Sequence, residues 1–465
     1  IMLIGNAGCG KTQLISGLLQ KQEPEKKLSL TVNFNFYTNA DLLKSTLEGP
    51  LEKKTGTTYA PKGQAGIIYF LDDLNLPEVD TYNTQSAISL VRQHLDYSHW
   101  YDMTKITCRT IERAQFVSCM NHTAGCFEIN PRLQRHFATF AIGFPGPTSL
   151  LTIYQTFLDG HLQKFPTIIQ EMSSSLINAA LGLHTVVSQK FRKTAKNFHY
   201  EFNVRHVSNV FQGILTAKAD QFRKPVKMVE LWLHESERVY GDRLVSSNDL
   251  TVYKKEAQGQ VKRRFAQFNL TKYFAGDDSD PLLFVHDSEG VYDQVTSIKT
   301  LTDTMKRALK EYNETNATMN LVLFEDAVKH IARIMRIVLN PGGHALLVGV
   351  GGMGKQSLSK LAAHVCQYTT KSITLTSTYS VTDFKTDIAE MYMRAGCKDE
   401  GILFLFTDSQ IADERFLVFL NDLLASGEIP DLFPLEDLDN IVNAVSSKCK
   451  NAGIAPTREN CWSFF

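Results

Sequence analysis

The residues best placed to do chemistry form two glycine-rich loops, each with a Gly-Lys pair near its C-terminal end. The first loop follows the apolar run Ile1–Ile4 and consists of Gly5, Asn6, Ala7, Gly8, Cys9, Gly10, Lys11 and Thr12. This spacing matches G-x-x-x-x-G-K-[ST], in which backbone N–H groups surround phosphate oxygens and the lysine reaches the β- and γ-phosphates. The Thr12 hydroxyl can ligate Mg²⁺. The pattern therefore predicts a nucleotide site between a short buried strand and a helix.

The second glycine-rich loop has lost part of this chemistry. It follows the apolar run Ala345–Val348 and consists of Gly349, Val350, Gly351, Gly352, Met353, Gly354, Lys355, Gln356 and Ser357. Gln356 stands where the first loop has Thr12, and its amide cannot ligate Mg²⁺ in the same way. We expect the second loop to bind a nucleotide with altered metal chemistry.

Acidic residues follow an apolar run downstream of each loop. An aspartate that ends a buried strand beside the loop can hold the Mg²⁺ water shell, and the next acidic residue polarises the attacking water. Asp72 and Asp73 take these two roles in the first site. Glutamate is usual at the second position, and because aspartate is one methylene shorter we expect slow hydrolysis. In the second site Asp408 is the metal ligand, but Ser409 cannot act as a general base. Binding without efficient turnover is predicted there.

Four further polar residues are candidates for contacts with a nucleotide. Asn121 follows the apolar run Ala114–Met120 and could orient water and the γ-phosphate; the alternative is an ordinary turn asparagine. Arg132 and Arg135 could reach a neighbouring subunit's nucleotide and stabilise transition-state charge, unless they are solvated surface charges. Arg205 could contact the first nucleotide from a helical region, although by itself it resembles a surface residue.

The elements that must position these residues are α/β in type. Short apolar runs alternate with helical periodicity over residues 1–145, which predicts a parallel, doubly wound sheet with helices. Residues 146–270 have helical periodicity and predict a small helical subdomain. Residues 271–318 form a linker, including the acidic segment Ala275–Pro281, and a helical connection.

A second α/β pattern occupies residues 319–465 and repeats part of the first. Strands are predicted over three apolar runs, Ala345–Val348, Ile373–Thr376 and Gly401–Asp408. No second helical subdomain follows, so we expect an incomplete second module.

Composition narrows the possible partners. Lysine plus arginine and aspartate plus glutamate each number 49, so the formal net charge is zero. Without a basic stripe interleaved with aromatic residues, we expect no nucleic-acid partner. No apolar run reaches the roughly 18 residues needed to cross a bilayer, so we expect no membrane partner. The eight cysteines include no C-x-x-C pair and are expected to be reduced thiols. The opening directly on a strand suggests a piece of a longer protein.

Longer segments resemble the third AAA+ module of axonemal dynein heavy chains and the first part of the fourth. Those similar to the third module are Asp72–Val79, Leu90–Tyr97, His99–Asp102, Cys119–Gly125 and Ile129–Phe137, and Leu231–Leu244 resembles its small-subdomain signature. Those similar to the fourth are Met319–Asp326, Leu346–Leu358, Thr407–Gln410 and Asn421–Phe433. The resemblance covers nearly the whole chain and is looser over residues 245–300. Among subclasses it favours the outer-arm β type.

The resemblance implies a place in a motor ring of six modules that drives movement toward microtubule minus ends in the axoneme of cilia and flagella. It implies bound ATP or ADP with Mg²⁺, a regulatory site at Lys11, Thr12, Asp72, Asp73, Asn121 and Arg205, and a largely non-hydrolysing site at the second loop. Arg135, or else Arg132, matches the arginine finger offered to the preceding module. Partners implied are the other modules of the heavy chain, microtubules through a coiled-coil stalk, and intermediate and light chains through a tail. A location in the cytoplasm and cytoskeleton follows.

Two other functional classes fit parts of the sequence. One is a structural scaffold whose bound nucleotides never turn over, and the other is a nucleic-acid-dependent P-loop helicase, which the neutral charge disfavours. Isolated from the ring that the resemblance implies, the chain is expected to be a weak or inactive ATPase, because its first site lacks a trans-acting group from a neighbouring module.

Overall fold

The computed structural model describes residues 1–23, 25–122, 127–274, 282–286, 290–429 and 432–465. Contacts divide the chain into two compact units: residues 1–145 with 413–431, and residues 146–412 with 432–465. The predicted linker Ala275–Pro281 lies outside the described residues.

Strands and helices alternate along the first 145 residues. They are β1 (Met2–Ile4), α1 (Lys11–Gln20), β2 (Lys27–Asn33), α2 (Ala40–Glu48), β3 (Leu51–Lys53), β4 (Thr58–Pro61), β5 (Gly66–Asp72), α3 (Ser86–Tyr97), β6 (His99–Asp102), β7 (Thr107–Ile111), β8 (Ala114–Met120), α4 (Pro131–Gln134) and β9 (Thr139–Ala141).

Helices predominate in the remainder of the chain. The elements are α5 (Pro147–Leu162), α6 (Thr167–Gln170), α7 (Ser173–Lys190), α8 (Val204–Ile214), α9 (Pro225–Val239), α10 (Ser247–Arg264), α11 (Thr271–Phe274), β10 (Phe284–His286), β11 (Tyr292–Gln294), α12 (Ile298–Thr315), α13 (Glu325–Leu339), α14 (Lys355–Val365), β12 (Thr369–Lys371), α15 (Val381–Tyr392), β13 (Ile402–Phe404), α16 (Arg415–Ser426), α17 (Leu435–Asn451) and α18 (Arg458–Phe464).

The first unit is built on a five-stranded sheet in the order β2-β5-β8-β1-β9, and every neighbouring pair is parallel. Successive residues of a strand face opposite sides of a sheet, so a strand that is covered on both sides is apolar throughout. In β5, Tyr69 belongs to one core cluster, whereas Phe70 belongs to another that includes Ile15 of α1. The prediction of a doubly wound parallel sheet is confirmed.

A smaller four-stranded sheet, in the order β3-β4-β7-β6, was not predicted. Its strands carry threonines and charged residues; β7, for example, reads Thr-Cys-Arg-Thr-Ile. Only scattered side chains such as Trp100 and Ile111 are buried. A sequence pattern based on continuous apolar runs therefore misses these strands.

Helices α5 to α10 occupy most of the segment that is predicted to be helical, residues 146–270. Helices α5, α7, α8, α9 and α10 enclose one apolar core in the second unit, with Trp232 and Leu183 fully buried. Helix α9 is deeply enclosed in this unit, because its residues from Met228 to Ser236 are nearly all buried. These include the charged residue Glu235.

Around the second loop two strand predictions are wrong and a third strand is shorter than expected. Residues 345–348 form no strand, and Leu346 and Val348 are both 90% exposed. In the first unit β1 is held between β8 and β9. Among the described residues of the second unit the only parallel pair is β12–β13, which matches β2 and β5 in order along the chain. Residues 345–348 therefore have no strand on either side to hydrogen-bond with.

The other two differences concern strand position. The strand predicted over Ile373–Thr376 lies earlier, at β12, and the strand predicted to end at Asp408 ends at Phe404. Asp408 instead begins a short helical turn for which the Thr407 side chain is the cap. Because β12 and β13 have three residues each, their pairing stops before the polar segments that follow.

Candidate functional site

The first glycine-rich loop joins strand β1, which lies between β8 and β9, to helix α1, as the motif requires. Gly8 and Gly10 have φ angles of 81° and 90°, in the left-handed region that favours glycine. Gly5 is needed for a different reason. A Cβ built there would lie 2.3 Å from the carbonyl oxygen of Ile142, the residue that follows β9 in the same chain. Helix α1 begins at Lys11 without a side-chain cap, so its first N–H groups are directed at the loop as an anion site requires.

Lys11 connects this loop to the end of β8. Its side chain is buried, and its Nζ donates hydrogen bonds to the carbonyl oxygens of Gly5 and Asn6, both at 2.9 Å. The same Nζ donates to Asn121 Oδ1 at 2.8 Å. Nζ also lies 3.7 Å from Cys9 Sγ. A buried ammonium held by neutral groups is suited to bind an anion in their place. The structure therefore brings Lys11 and Asn121 together.

Thr12 and the two aspartates form the second part of the site. The Thr12 hydroxyl donates to Asp72 Oδ2 at 2.9 Å, and the backbone N–H of Asp73 donates to Asp72 Oδ1 at 3.0 Å. Asn121 Nδ2 donates to Asp73 Oδ1 at 3.3 Å. Asp73 has a φ of 53°, which is uncommon for a residue with a side chain and is often found at functional sites.

This donor set fits Mg²⁺. Mg²⁺ retains several waters and uses one or two protein oxygens with substrate phosphates, and the adjacent Thr12 and Asp72 oxygens can serve in this way. In the described part of the chain no cluster of three or more His, Cys, Asp or Glu side chains suits a metal.

Two residues of this site were missed by sequence reasoning. The Cys119 thiol donates to Asp72 Oδ1, and burial together with the Asp72 carboxylate raises the pKa of this thiol well above its ordinary value. Asn75 is buried and donates from Nδ2 to the Asn121 carbonyl oxygen at 2.7 Å. Cys119 lies two residues before Asn121, so strand alternation was a signal for its position.

Arg132 and Arg135 border a surface groove of about 460 Å³ together with Ser89, Arg92, Gln93, Asp96 and Tyr97. Arg135 Nη2 donates to Asp96 Oδ1 at 2.8 Å, and His136 Nε2 lies 2.9 Å from the same oxygen. These hydrogen bonds, that from Arg135 above all, hold the pKa of Asp96 below its ordinary value. The Arg135 side chain remains 62% exposed and is available to a neighbouring molecule.

The second loop keeps the glycine geometry but gathers fewer partners. Gly352 and Gly354 have φ angles of 83° and 77°, and α14 begins at Lys355. Lys355 Nζ donates to the Gly349 carbonyl oxygen. Gln356 and Asp408 are both exposed. The described contacts include no bond between these two residues comparable to that between Thr12 and Asp72.

Arg205 lies in the second unit, at the second residue of α8. It is exposed, and its backbone N–H donates to the Asn203 side chain at 3.0 Å. The described contacts of its side chain do not assign it to either loop, so its role at the first nucleotide stays a prediction.

Seven of the cysteines lie among the described residues, and all seven are free thiols. Among the helices in the described part of the chain, none combines the length and the apolar character that crossing a membrane requires.

Comparison with protein families matches three parts of the chain. Residues 1–145 match the P-loop containing dynein motor region, and residues 319–465 match the P-loop containing dynein motor region D4. Residues 176–274 match the AAA+ lid domain. The two motor-region matches contain the two glycine-rich loops.

Individual relatives match the chain from end to end. It is 55% identical to the dynein alpha chain of the flagellar outer arm of Chlamydomonas reinhardtii and 48% identical to dynein axonemal heavy chain 17 of Mus musculus. It is 46% identical to the ciliary dynein beta chain of Tripneustes gratilla. In each case the match covers 100% of this chain and 10% of the relative. With two dynein motor-region modules and full-length identity of this order, the chain belongs to the axonemal dynein heavy chains, of which it spans about a tenth.

Proposed function

We propose that this chain is the third AAA+ module, with the first part of the fourth, in the motor ring of an axonemal dynein heavy chain. The first loop binds ATP or ADP with Mg²⁺ as a regulatory site, and the second holds a nucleotide with little or no hydrolysis. Occupancy of these sites gates the ATP-driven, minus-end-directed motility on microtubules that bends cilia and flagella. The order of the matches, with motor region D4 second, supports this assignment.

The observation that carries the proposal is the unequal construction of the two sites. In the first, Lys11 and Asn121 meet at 2.8 Å and Thr12 and Asp72 at 2.9 Å, so phosphate, metal and water positions adjoin one another. In the second, Gln356 replaces the metal-binding hydroxyl and Ser409 replaces the acidic residue. The first site can turn over slowly, whereas the second is limited to binding.

The proposed place of this chain in the motor ring of a heavy chain also implies its partners. They are the other modules of the same chain, microtubules through the stalk, and intermediate and light chains through the tail. The relatives named flagellar or ciliary support a location in the axoneme. Identities of 55% to an alpha chain and 46% to a beta chain do not single out the β type, which stays a prediction.

A scaffold that never hydrolyses its nucleotide is the second candidate, favoured by the shorter Asp73 at the water-activating position. The two functions are separated by comparing three variants of the intact heavy chain. Lys11→Ala removes the first site, Lys355→Ala removes the second, and Asp73→Asn keeps nucleotide binding but removes the charge that activates water. Bound nucleotide per chain, exchange of a fluorescent ADP and gliding velocity on microtubules are measured.

For a regulatory ATPase site we expect Lys11→Ala to remove about one nucleotide per chain, because the lysine is the main cation of the loop. Asp73→Asn should retain that nucleotide, mostly as ATP, and slow gliding by about tenfold or more, because general-base assistance contributes roughly 10²-fold. Unchanged gliding and exchange with Asp73→Asn would support the scaffold. An unchanged nucleotide count with Lys11→Ala would contradict binding at the first loop. Lys355→Ala serves as the matched control at the other loop.

A further inference from the structure

The Cys119 thiol lies in the first site but belongs to none of its known motifs. Cys119 is the penultimate residue of β8, and its side chain is 0% exposed. It shares an apolar cluster with Phe70 of β5 and Ile15 of α1, so it lies on the face of the sheet that α1 covers. Asp72 is two residues after Phe70 on the neighbouring strand and faces the same side. Alternation along two parallel strands therefore brings thiol and carboxylate together.

The hydrogen bonds of Asp72 divide between its two oxygens. Oδ2 accepts from the Thr12 hydroxyl at 2.9 Å, whereas Oδ1 accepts from the Asp73 N–H at 3.0 Å and from the Cys119 thiol. The Cys119 side chain is fully buried, and its S–H is the donor in the contact with Asp72 Oδ1. The Asp73 N–H is a backbone group that every residue other than proline has. Of the two donors to Oδ1, Cys119 is therefore the one whose side chain can be replaced.

We propose that Cys119 is a positioning residue for the Mg²⁺ site: its S–H donates to Asp72 Oδ1 and directs Oδ2 toward Thr12 and the metal. The thiol is closed off from solvent between β8, β5 and α1, so water does not compete for its S–H. Removing the donor frees the carboxylate to rotate and weakens its hold on the Mg²⁺ shell. The phosphate contacts of the loop and Lys11 do not depend on this bond.

The proposal rests on the proposed function, because it needs a nucleotide with Mg²⁺ at the first loop. Its test uses two matched pairs of substitutions in the intact heavy chain. Cys119→Ser keeps a donor that Cys119→Ala lacks, and Cys119→Thr keeps a donor that the similarly shaped Cys119→Val lacks. The Thr/Val pair retains the β-branched shape suited to a strand if the small residues destabilise β8. Chains are loaded with ADP, and the ADP retained is measured as free Mg²⁺ is lowered with a chelator.

The ADP held at the first loop is obtained by subtraction. It is the ADP retained by each variant minus the ADP retained by the same variant that also carries Lys11→Ala. A thiol is a weak donor, but its acceptor is charged, so we expect Ala and Val to raise the free Mg²⁺ needed for half retention by about threefold to tenfold. Ser and Thr should stay within about twofold of the unsubstituted chain. Retention of ADP in excess Mg²⁺ should be the same for all four.

Two results would overturn the proposal. If donor and non-donor variants behave alike, whether unchanged or equally weakened, Cys119 contributes packing and not a hydrogen bond. If Lys11→Ala removes no ADP at any Mg²⁺ concentration, the first loop holds no nucleotide, and the proposed function fails together with this inference. The first result leaves the proposed function intact, so the two failures are distinguishable.

Discussion

Among single residues, Gly5 shows most clearly what the first loop requires of its sequence. Gly8 and Gly10 are needed for their backbone angles, whereas Gly5 is needed because another strand passes so close to it. The space for its missing Cβ is taken by the Ile142 carbonyl oxygen, just beyond the end of β9. Because β9 pairs with β1, this contact couples the loop to the edge of the sheet.

Gly5→Ala should therefore disable the first site, although it adds only a methyl group. Backbone atoms cannot yield as a flexible side chain can, so we expect the loop to shift and ADP retention at the first site to fall at least tenfold, at a cost of about 2 kcal/mol. The effect is measured as the ADP retained by the intact heavy chain with and without Gly5→Ala. The ADP retained by the Lys11→Ala variant is subtracted from each value.

The matched control is Gly17→Ala in α1, where a Cβ meets nothing within 4 Å. Alanine is the better helix former by about 1 kcal/mol, so this variant should retain ADP normally. Equal retention by Gly5→Ala and Gly17→Ala would show that the Ile142 backbone can move away.

Between elements, a buried ion pair joins helix α9 to helix α13. The Glu235 carboxylate is fully buried and accepts from Arg336 Nε at 3.0 and 3.2 Å, while Tyr292 of β11 donates to it at 2.6 Å. Gly213 of α8 leaves room for the carboxylate, since a Cβ there would lie 1.8 Å from Glu235 Oε2. Three residues before Arg336 on α13, Arg333 lies 3.5 Å from Asp242, which follows the end of α9 and also pairs with Arg238.

Arg336→Met should loosen this junction by about 3 kcal/mol, because removing one partner leaves a buried carboxylate without its counter-charge. Hydrogen exchange of the α9 and α13 amides in the heavy chain reports the loss as faster local opening. Adding Glu235→Gln should recover much of it, since the uncompensated charge is then gone.

Lys190→Met, which removes the exposed pair of Lys190 with Glu256, is the control and should cost less than about 1 kcal/mol. An effect of Arg336→Met no larger than this control would mean that the buried pair adds nothing to the junction.

At the scale of the whole molecule, the groove that contains Arg132 and Arg135 faces outward from the first unit. Asp96 orients the Arg135 guanidinium, and the side chain is nevertheless 62% exposed. The guanidinium can therefore also bind a group outside the first unit. Arg132 donates its backbone N–H to Asn130, and its side chain is exposed as well. If the chain has its proposed place in the motor ring, the bond to Asp96 favours Arg135 over Arg132 as the residue presented to the preceding module.

Arg135→Ala should accelerate release of the preceding module's nucleotide by about tenfold or more, because a charge-assisted hydrogen bond contributes roughly 1.5–3 kcal/mol. Fluorescent ADP release is followed in a heavy chain that also carries Lys11→Ala and Lys355→Ala, so both loops of this region are silent. Arg132→Ala is the control and should leave the rates unchanged. Faster release with Arg132→Ala alone would assign the finger to Arg132 instead.

In the first unit, local sequence was sufficient for the contiguous loop motif and for the apolar strand β5, whereas the apolar run Ala345–Val348 of the second unit forms no strand. The glycine pattern up to Thr12 and the run ending at Asp72 each predicted their element and its polar end, because glycine geometry and burial on both faces act within a few residues. The four-stranded sheet escaped prediction, since its strands are stabilised by pairing more than by their own apolar content.

What the sequence by itself determined is therefore the presence of two P-loop motifs and the replacement of the metal-binding hydroxyl residue by Gln356 in the second. Only the tertiary structure decided that Cys119 donates to Asp72, that Gly5 adjoins Ile142, and that Glu235 pairs with Arg336. It also decided that residues 345–348 lack strand neighbours. These relations join residues far apart in the chain, and they depend on strand order, side-chain direction and burial, which no local pattern records.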